Sequence, residues 1–159
     1  MHGSQYRHYM QRTDVANAPI KDIEADFEGL IYLKMDGLNT IGESKTTYIE
    51  DYADADTVRL YVPNTFSAYT NKNTTINLTV IFVGTDSVRS TTFKNFTEYI
   101  REGVHRYWDD ARKRRFSFVV KDEIKVSEEK WHGANPYIEV TFPLTNLNGK
   151  TEVVNVINA

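Results

Sequence analysis

Four histidines, one acidic run and one basic run are the side chains of this 159-residue chain with the most chemical potential. His105 and Asp109 stand four residues apart inside STTFKNFTEYIREGVHRYWDDA, with Asp110 beside them. On a helix that spacing brings an imidazole to a carboxylate, the pairing that orients a general base. A base needs a nucleophile within reach, and no serine here sits in a Gly-x-Ser-x-Gly elbow, so the pair reads as a surface ion pair at a helix end. His132 in KWHGANP is a lone loop histidine, and His2 and His8 fall in a polar lead-in. No catalytic set emerges, and none is expected.

The acidic run EDYADAD holds Glu50, Asp51, Asp54 and Asp56. Clustered carboxylates are what a hard cation requires, but the alternating Asp positions, glycine and closing Glu of a calcium loop are missing. A solvated acidic loop is the better reading, and no metal or other cofactor is expected. GLNTIGESK offers Gly37, Gly42 and Lys45, yet a phosphate-cradling loop needs Gly-Lys-Ser/Thr in succession, and Glu43-Ser44 interrupts it. The basic run Arg112, Lys113, Arg114, Arg115 lies beside Trp108 and Phe116, a mixture that suits phosphates and stacked bases. No recognition motif accompanies it, and the same run suits a helix C-terminus, where the dipole favours cations. No specific nucleic-acid partner is expected.

Those residues have to be positioned by elements that the hydrophobic pattern discloses. Phe93, Phe96, Ile100, Val104, Tyr107, Trp108 and Ala111 recur at spacings of three and four, which predicts an amphipathic helix over about 90–111. Ser90, Thr91 or Thr92 would cap it. Thr75 to Val83, TINLTVIFV, predicts a central strand with Ile76, Leu78, Val80 and Phe82 on one face and Thr75, Asn77, Thr79, Ile81 and Val83 on the other. Further strands are expected at FEGLIYLK from Phe27, KTTYI from Lys45, TVRLYV from Thr57, RFSFVVK from Arg115 and PYIEVTFPL from Pro136. A turn at Asp122-Glu123 is expected to pair RFSFVVK with IKV, and Asn148-Gly149 to pair PYIEVTFPL with TEVVNVI. Residues 1–25 lack a stable period and read as a flexible arm before a single β-rich domain over 26–159.

Composition agrees with this. An aromatic content of 13%, including ten Tyr and eight Phe, favours pleated, half-buried surfaces. A formal net charge of −3 gives no global attraction to an anionic membrane or to nucleic acid. Cysteine is absent, which excludes disulfides, thiolate metal sites and a cysteine nucleophile. The first residues hold no apolar signal core and no apolar run is long enough to span a bilayer, so a soluble protein with no membrane partner is expected. Asn73, Asn77 and Asn95 open Asn-x-Thr triplets that, without a secretory signal, read as chance. The fold class expected is α+β, mainly an antiparallel β-sandwich or small barrel flanked by one long helix.

The order of TINLTVIFVG, the helical segment, RFSFVVKDE, IKV and PYIEVTFPLTN, over roughly residues 75–144, resembles the tail-tube and distal-tail structural proteins of tailed bacteriophages. The resemblance implies a phage or prophage virion protein that self-assembles into a tail ring or tube, a hexamer, with other tail proteins as partners and no catalysis. It implies a hairpin from residues 27–62 that joins neighbouring subunits, an acidic lumen lined by Glu50, Asp51, Asp54 and Asp56, and an assembly edge at Tyr61, Phe66 and Tyr69. Its implied location is the virion, and the bacterial cytoplasm before assembly. A small bacterial helix-on-sheet ligand-binding domain or enzyme is the alternative.

Overall fold

The computed structural model describes residues 7–45, 48–51, 58–62 and 71–154, with 48–51 and 58–61 defined by their backbone. In chain order the elements are β1 (His8–Arg12), β2 (Lys21–Asp22), β3 (Leu30–Asp36), β4 (Tyr48–Asp51), β5 (Val58–Tyr61), β6 (Thr74–Val83), α1 (Asp86–Arg101), β7 (His105–Asp109), β8 (Arg114–Val119), β9 (Lys125–Val126), β10 (Lys130–His132), β11 (Asn135–Asn146) and β12 (Glu152–Val153). Antiparallel pairing runs β2-β1-β7-β8-β11-β6-β3, with β9 and β10 added to β11 and β12 to β8. The fold is thus α+β and mainly antiparallel. The sheet is open, and no pairing among the described residues closes it into a barrel or divides it into a sandwich. It curls nevertheless, because the rings of His8 on β1 and Tyr32 on β3 stack 3.7 Å apart although those strands share no ladder.

The alternation in TINLTVIFV produces the expected central strand: β6 pairs with β11 on one side and β3 on the other. Ile76, Leu78, Val80 and Phe82 are fully buried, as are Val140, Phe142 and Leu144 of β11. Onto this face α1 lays Phe96 and Ile100, both fully buried. Phe96 sits edge-on to Phe27 at 5.0 Å and to Phe142 at 5.2 Å. Aromatic edges and faces carry opposite partial charge, so such contacts add to the roughly 1.5–3 kcal/mol that burying one large apolar side chain contributes.

The helix is shorter than expected and shifted toward the N-terminus. Its cap is Thr85, whose hydroxyl accepts the Val88 backbone N–H at 3.3 Å, while Ser90, Thr91 and Thr92 lie inside it. It ends at Arg101, and Gly103 follows at φ 66. That φ strains any L side chain, and a Cβ there would also displace the ends of the Asp14 and Arg12 side chains. Beyond it HRYWD is strand β7, paired with β1 on one edge and β8 on the other over five register positions each. Ladder bonds on both edges outweigh the helical option for a segment whose residues also alternate.

Three further expectations are corrected. Residues 7–25 do not form a flexible arm outside the fold: β1 fills the edge of β7 that β8 leaves open, and Met10 and Ile23 are fully buried. Residues 1–6 lie outside the described part. Strand β9, from the IKV segment, pairs with β11 instead of β8, and β12 pairs with β8 instead of β11. The cause is shared: β11 is 12 residues long, one edge is covered by β6, and the other is divided among β8, β9 and β10. Strand β10 occupies part of what the sequence presents as a polar loop.

Candidate functional site: an outward apolar groove and a separate hairpin

The strand at HRYWD removes the His105–Asp109 pair. Four strand residues span about 13 Å, so the two side chains do not meet. Asp109 instead closes the β7–β8 turn: its buried carboxylate accepts the backbone N–H groups of Ala111 at 3.0 Å and Arg112 at 3.2 Å. His105 is fully buried between Tyr99 and Phe118. The basic run is that turn and the start of β8, not a helix end, and most of its charge is met locally. Arg112 lies 4.0 Å from Asp109, Lys113 bonds Asp110 at 2.8 Å, and Arg115 bonds Glu152 at 2.6 Å. Among the described residues no group of three or more His, Asp or Glu is arranged to hold a metal ion. None of the described helices is long and apolar enough to cross a membrane.

The residues of GLNTIGESK are structural. Gly37 turns the chain at φ 89, and Gly42 donates its N–H to the Gly149 carbonyl at 2.6 Å with the Lys72 backbone filling the space a side chain would need. This stitch, with Lys72 N–H to the Glu43 carbonyl at 2.7 Å and the bridge between Ser44 and Asn71, ties off the base of the β3–β6 connection. From that connection β4 and β5 form their own two-stranded antiparallel sheet, in register Tyr48↔Tyr61 to Asp51↔Val58. Glu50 and Asp51 are therefore strand residues, with Glu50 opposite Arg59, and Tyr61 ends β5. Asp54, Asp56, Phe66 and Tyr69 lie outside the described residues.

The feature that sequence reasoning passes over lies on the outward face of β3, β6 and β11. Ile31 stands opposite Ile81, and Val83 opposite Tyr137. The β3 ladder shifts between Tyr32 and Lys34, which leaves Leu33 as an extra residue, 48% exposed. Together with Pro136 these side chains line a groove of about 890 Å³. Gly84, Thr85 and Asp86 at the start of α1 bound it along with His132, Asn135 and Glu139. Trp131 is paired with Pro136 beside it and is 61% exposed. One signal was in the sequence: the outward row of β6 is polar at Thr75, Asn77 and Thr79 but apolar at Ile81 and Val83. The apolar side chains of the groove carry no nucleophile or base, and the lining groups that could serve as bases are Asp86, His132 and Glu139. What such a surface can do is leave water against another apolar surface.

No protein-family model matches this chain, and no curated protein matches it. Its fold is similar to that of a chain in the structure of the phage p2 baseplate in its activated conformation with Sr, with a TM-score of 0.52 at 11% sequence identity. A chain of the same baseplate in its activated conformation with Ca gives a TM-score of 0.53, also at 11% identity. The likeness covers 89% of this chain and 44% of each baseplate chain, so this chain spans less than half of the solved chains it matches. The resemblance to tailed-phage tail proteins is met at the level of fold, and no residue role transfers at this identity.

Proposed function

We propose that this chain is a non-catalytic structural subunit of a tailed-phage tail or baseplate that associates with itself, and with other tail proteins, into a ring or tube. The observation that carries the reading is the pairing of an outward apolar groove with a hairpin that belongs to a separate sheet. Ring closure by head-to-tail contact needs two different patches on each subunit. In this reading the groove is one patch, and the other is the hairpin region carrying Tyr61, Phe66 and Tyr69. Glu50, Asp51, Asp54 and Asp56 then line the lumen, and the curled sheet works as a small barrel. The chain, β1 and β2 included, acts as one assembly domain, in the virion and before that in the host cytoplasm. The baseplate chains of similar fold support this placement.

A ligand-binding role is the second reading, favoured by the groove's volume, which lies within the range of small-molecule sites. Light scattering over a concentration series separates the two. Oligomers that grow with concentration are expected, with their loss when Phe66 and Tyr69 are both changed to Ser, or Leu33 and Ile81 both to Asp, at an unchanged melting temperature. A parent that stays monomeric at high concentration, alone and with the neighbouring tail proteins, overturns the assembly reading and leaves ligand binding.

A further inference from the structure

We propose that His8 and His105 make the pairing of β1 with β7 an acid-sensitive latch: neutral imidazoles hold the N-terminal strand in the sheet, and protonating them releases it. Both rings point into the core at opposite ends of one five-residue ladder, where His8 is opposite Asp109 and His105 opposite Arg12. The inference needs only the fold, and it stands or falls apart from ring assembly.

His105 is fully buried, stacked on Phe118 at 5.4 Å and edge-on to Tyr99 at 4.8 Å; neither ring nitrogen makes a hydrogen bond of good geometry, and the acceptors that bear on them are the backbone carbonyls of Glu102 and Tyr99. An imidazolium carries two N–H donors and a charge, neither of which an aromatic cage satisfies. The charged groups around it are Arg12 of β1, Asp14 just after that strand, and Glu102 just after α1; Tyr99 is the titratable group facing it from the helix. Arg12 already engages both carboxylates, Asp14 at 3.0 Å and Glu102 at 3.5 Å, and its own charge opposes a second cation. Burial is the largest influence and holds His105 below its ordinary pKa; the Glu102 and Tyr99 backbones pull the other way.

His8 is 2% exposed, with Nδ1 2.9 Å from the Tyr107 hydroxyl and its ring on Tyr32 of β3. Tyr107 is held protonated, because burial raises its pKa well above the ordinary value, and its O–H can donate to a neutral Nδ1. A proton on Nδ1 reverses that bond, with the Tyr107 oxygen as acceptor, and leaves a charge in a buried site. Asp22 of β2, Asp109 of β7, and Asp110 and Arg112 of the turn face His8. Burial again outweighs them and lowers its pKa, while Asp109, the largest opposing influence, is committed to the turn. Releasing β1 also breaks the stack on Tyr32, the contact that draws the two sides of the open sheet together.

The sign follows from linkage. Both folded values lie below 6.5, so the opened form binds protons first. The stability these groups contribute is complete above that value and declines as pH falls through the window beneath it. Each such site raises the open population up to about tenfold per pH unit, and two together up to about a hundredfold.

The test is hydrogen exchange of the full chain at about pH 7.5 and about pH 5, corrected for intrinsic rates. Protection at Tyr9, Gln11 and Thr13, whose N–H groups face β7 in the register that sets the Thr13 N–H on the Val104 carbonyl and the Asp110 N–H on the Arg7 carbonyl, is expected to fall about tenfold on acidification while β6 and β11 hold. The double variant His8→Phe, His105→Phe keeps aromatic packing and should abolish the effect. Equal protection of β1 at both pH values overturns the proposal. So does simultaneous loss from β1 and β6, or an acid response that persists in the double variant, which would assign it to carboxylates. Should the double variant fail to fold, NMR titration of the two imidazoles in the parent decides. Values below 6.5 for both support the latch, and a value at or above 6.5 for either removes that histidine from it.

Discussion

Changing Phe96 to Ala tests the central packing claim, that α1 is held by an aromatic contact set and not by its own helix propensity. Phe96 is fully buried, edge-on to Phe27 and Phe142 and 6.3 Å from Phe82, so four rings from four chain segments meet at one side chain. Truncation removes the transfer free energy of the ring and leaves a cavity that rigid strands on two sides cannot fill. Substitutions of this kind cost about 3–5 kcal/mol. For a chain of this size that is about 6–20 °C in melting temperature, at roughly 2–4 °C per kcal/mol. It is also a large share of the roughly 5–15 kcal/mol that holds a typical domain together. Urea unfolding followed by tryptophan fluorescence gives the free energy, with Lys94→Ala as control, because Lys94 is 72% exposed and its ion pair with Glu98 spans 3.9 Å. Phe96→Ala should unfold at markedly lower urea with an unchanged slope. A loss under about 1 kcal/mol, indistinguishable from the control, would mean the helix does not pack as described.

Other outcomes follow from single features. Thr85→Ala should cost about 1 kcal/mol through the lost cap, whereas Ser90→Ala, inside the helix and exposed, should stay within about 0.5 kcal/mol; the reverse ranking in thermal melts would restore a later helix start. Gly149→Ala should destabilise by more than about 1 kcal/mol, since φ is 63 and the Lys72 carbonyl occupies the Cβ position; an unchanged melt would contradict that turn. Burial pushes the Tyr99 phenol from 10.0 up to about 12. Because the folded value is raised, the unfolded chain loses this proton first as pH rises, so stability declines between pH 10 and about 12. Tyr99→Phe should flatten that part of the alkaline stability profile, and an identical profile would refute the assignment.

How much of this was legible beforehand depends on whether local pattern or long-range competition decided each element. Strands β6 and β11 were readable because their inward residues alternate without interruption over a long run, and side-chain period alone identifies such a strand. The helical face was readable at Phe93, Phe96 and Ile100 for the same reason at a period of 3.6. Past Ile100 the pattern is ambiguous: Val104, Tyr107, Trp108 and Ala111 continue the helical spacing, while His105, Tyr107 and Asp109 alternate with Arg106 and Trp108. A five-residue segment can satisfy both periods, and the ladders offered by β1 and β8 chose the strand. With that choice the apparent His105–Asp109 pair disappeared, and two buried histidines took its place on neighbouring strands.

The turn at Asn148-Gly149 was visible as local backbone chemistry, but a turn does not say which edge receives the next strand. That was settled by vacancy, since β11 had no free edge for β12, and β7 had one for β1, a largely polar strand that buries Met10. The groove belongs to the same class. Ile31, Leu33, Ile81, Val83 and Tyr137 come from three strands distant in sequence, and only their register brings them onto one outward face. Local composition determined where the chain bends and which faces are apolar; the pairing of backbone donors and acceptors across the sheet decided which of those faces meet, and which remains uncovered.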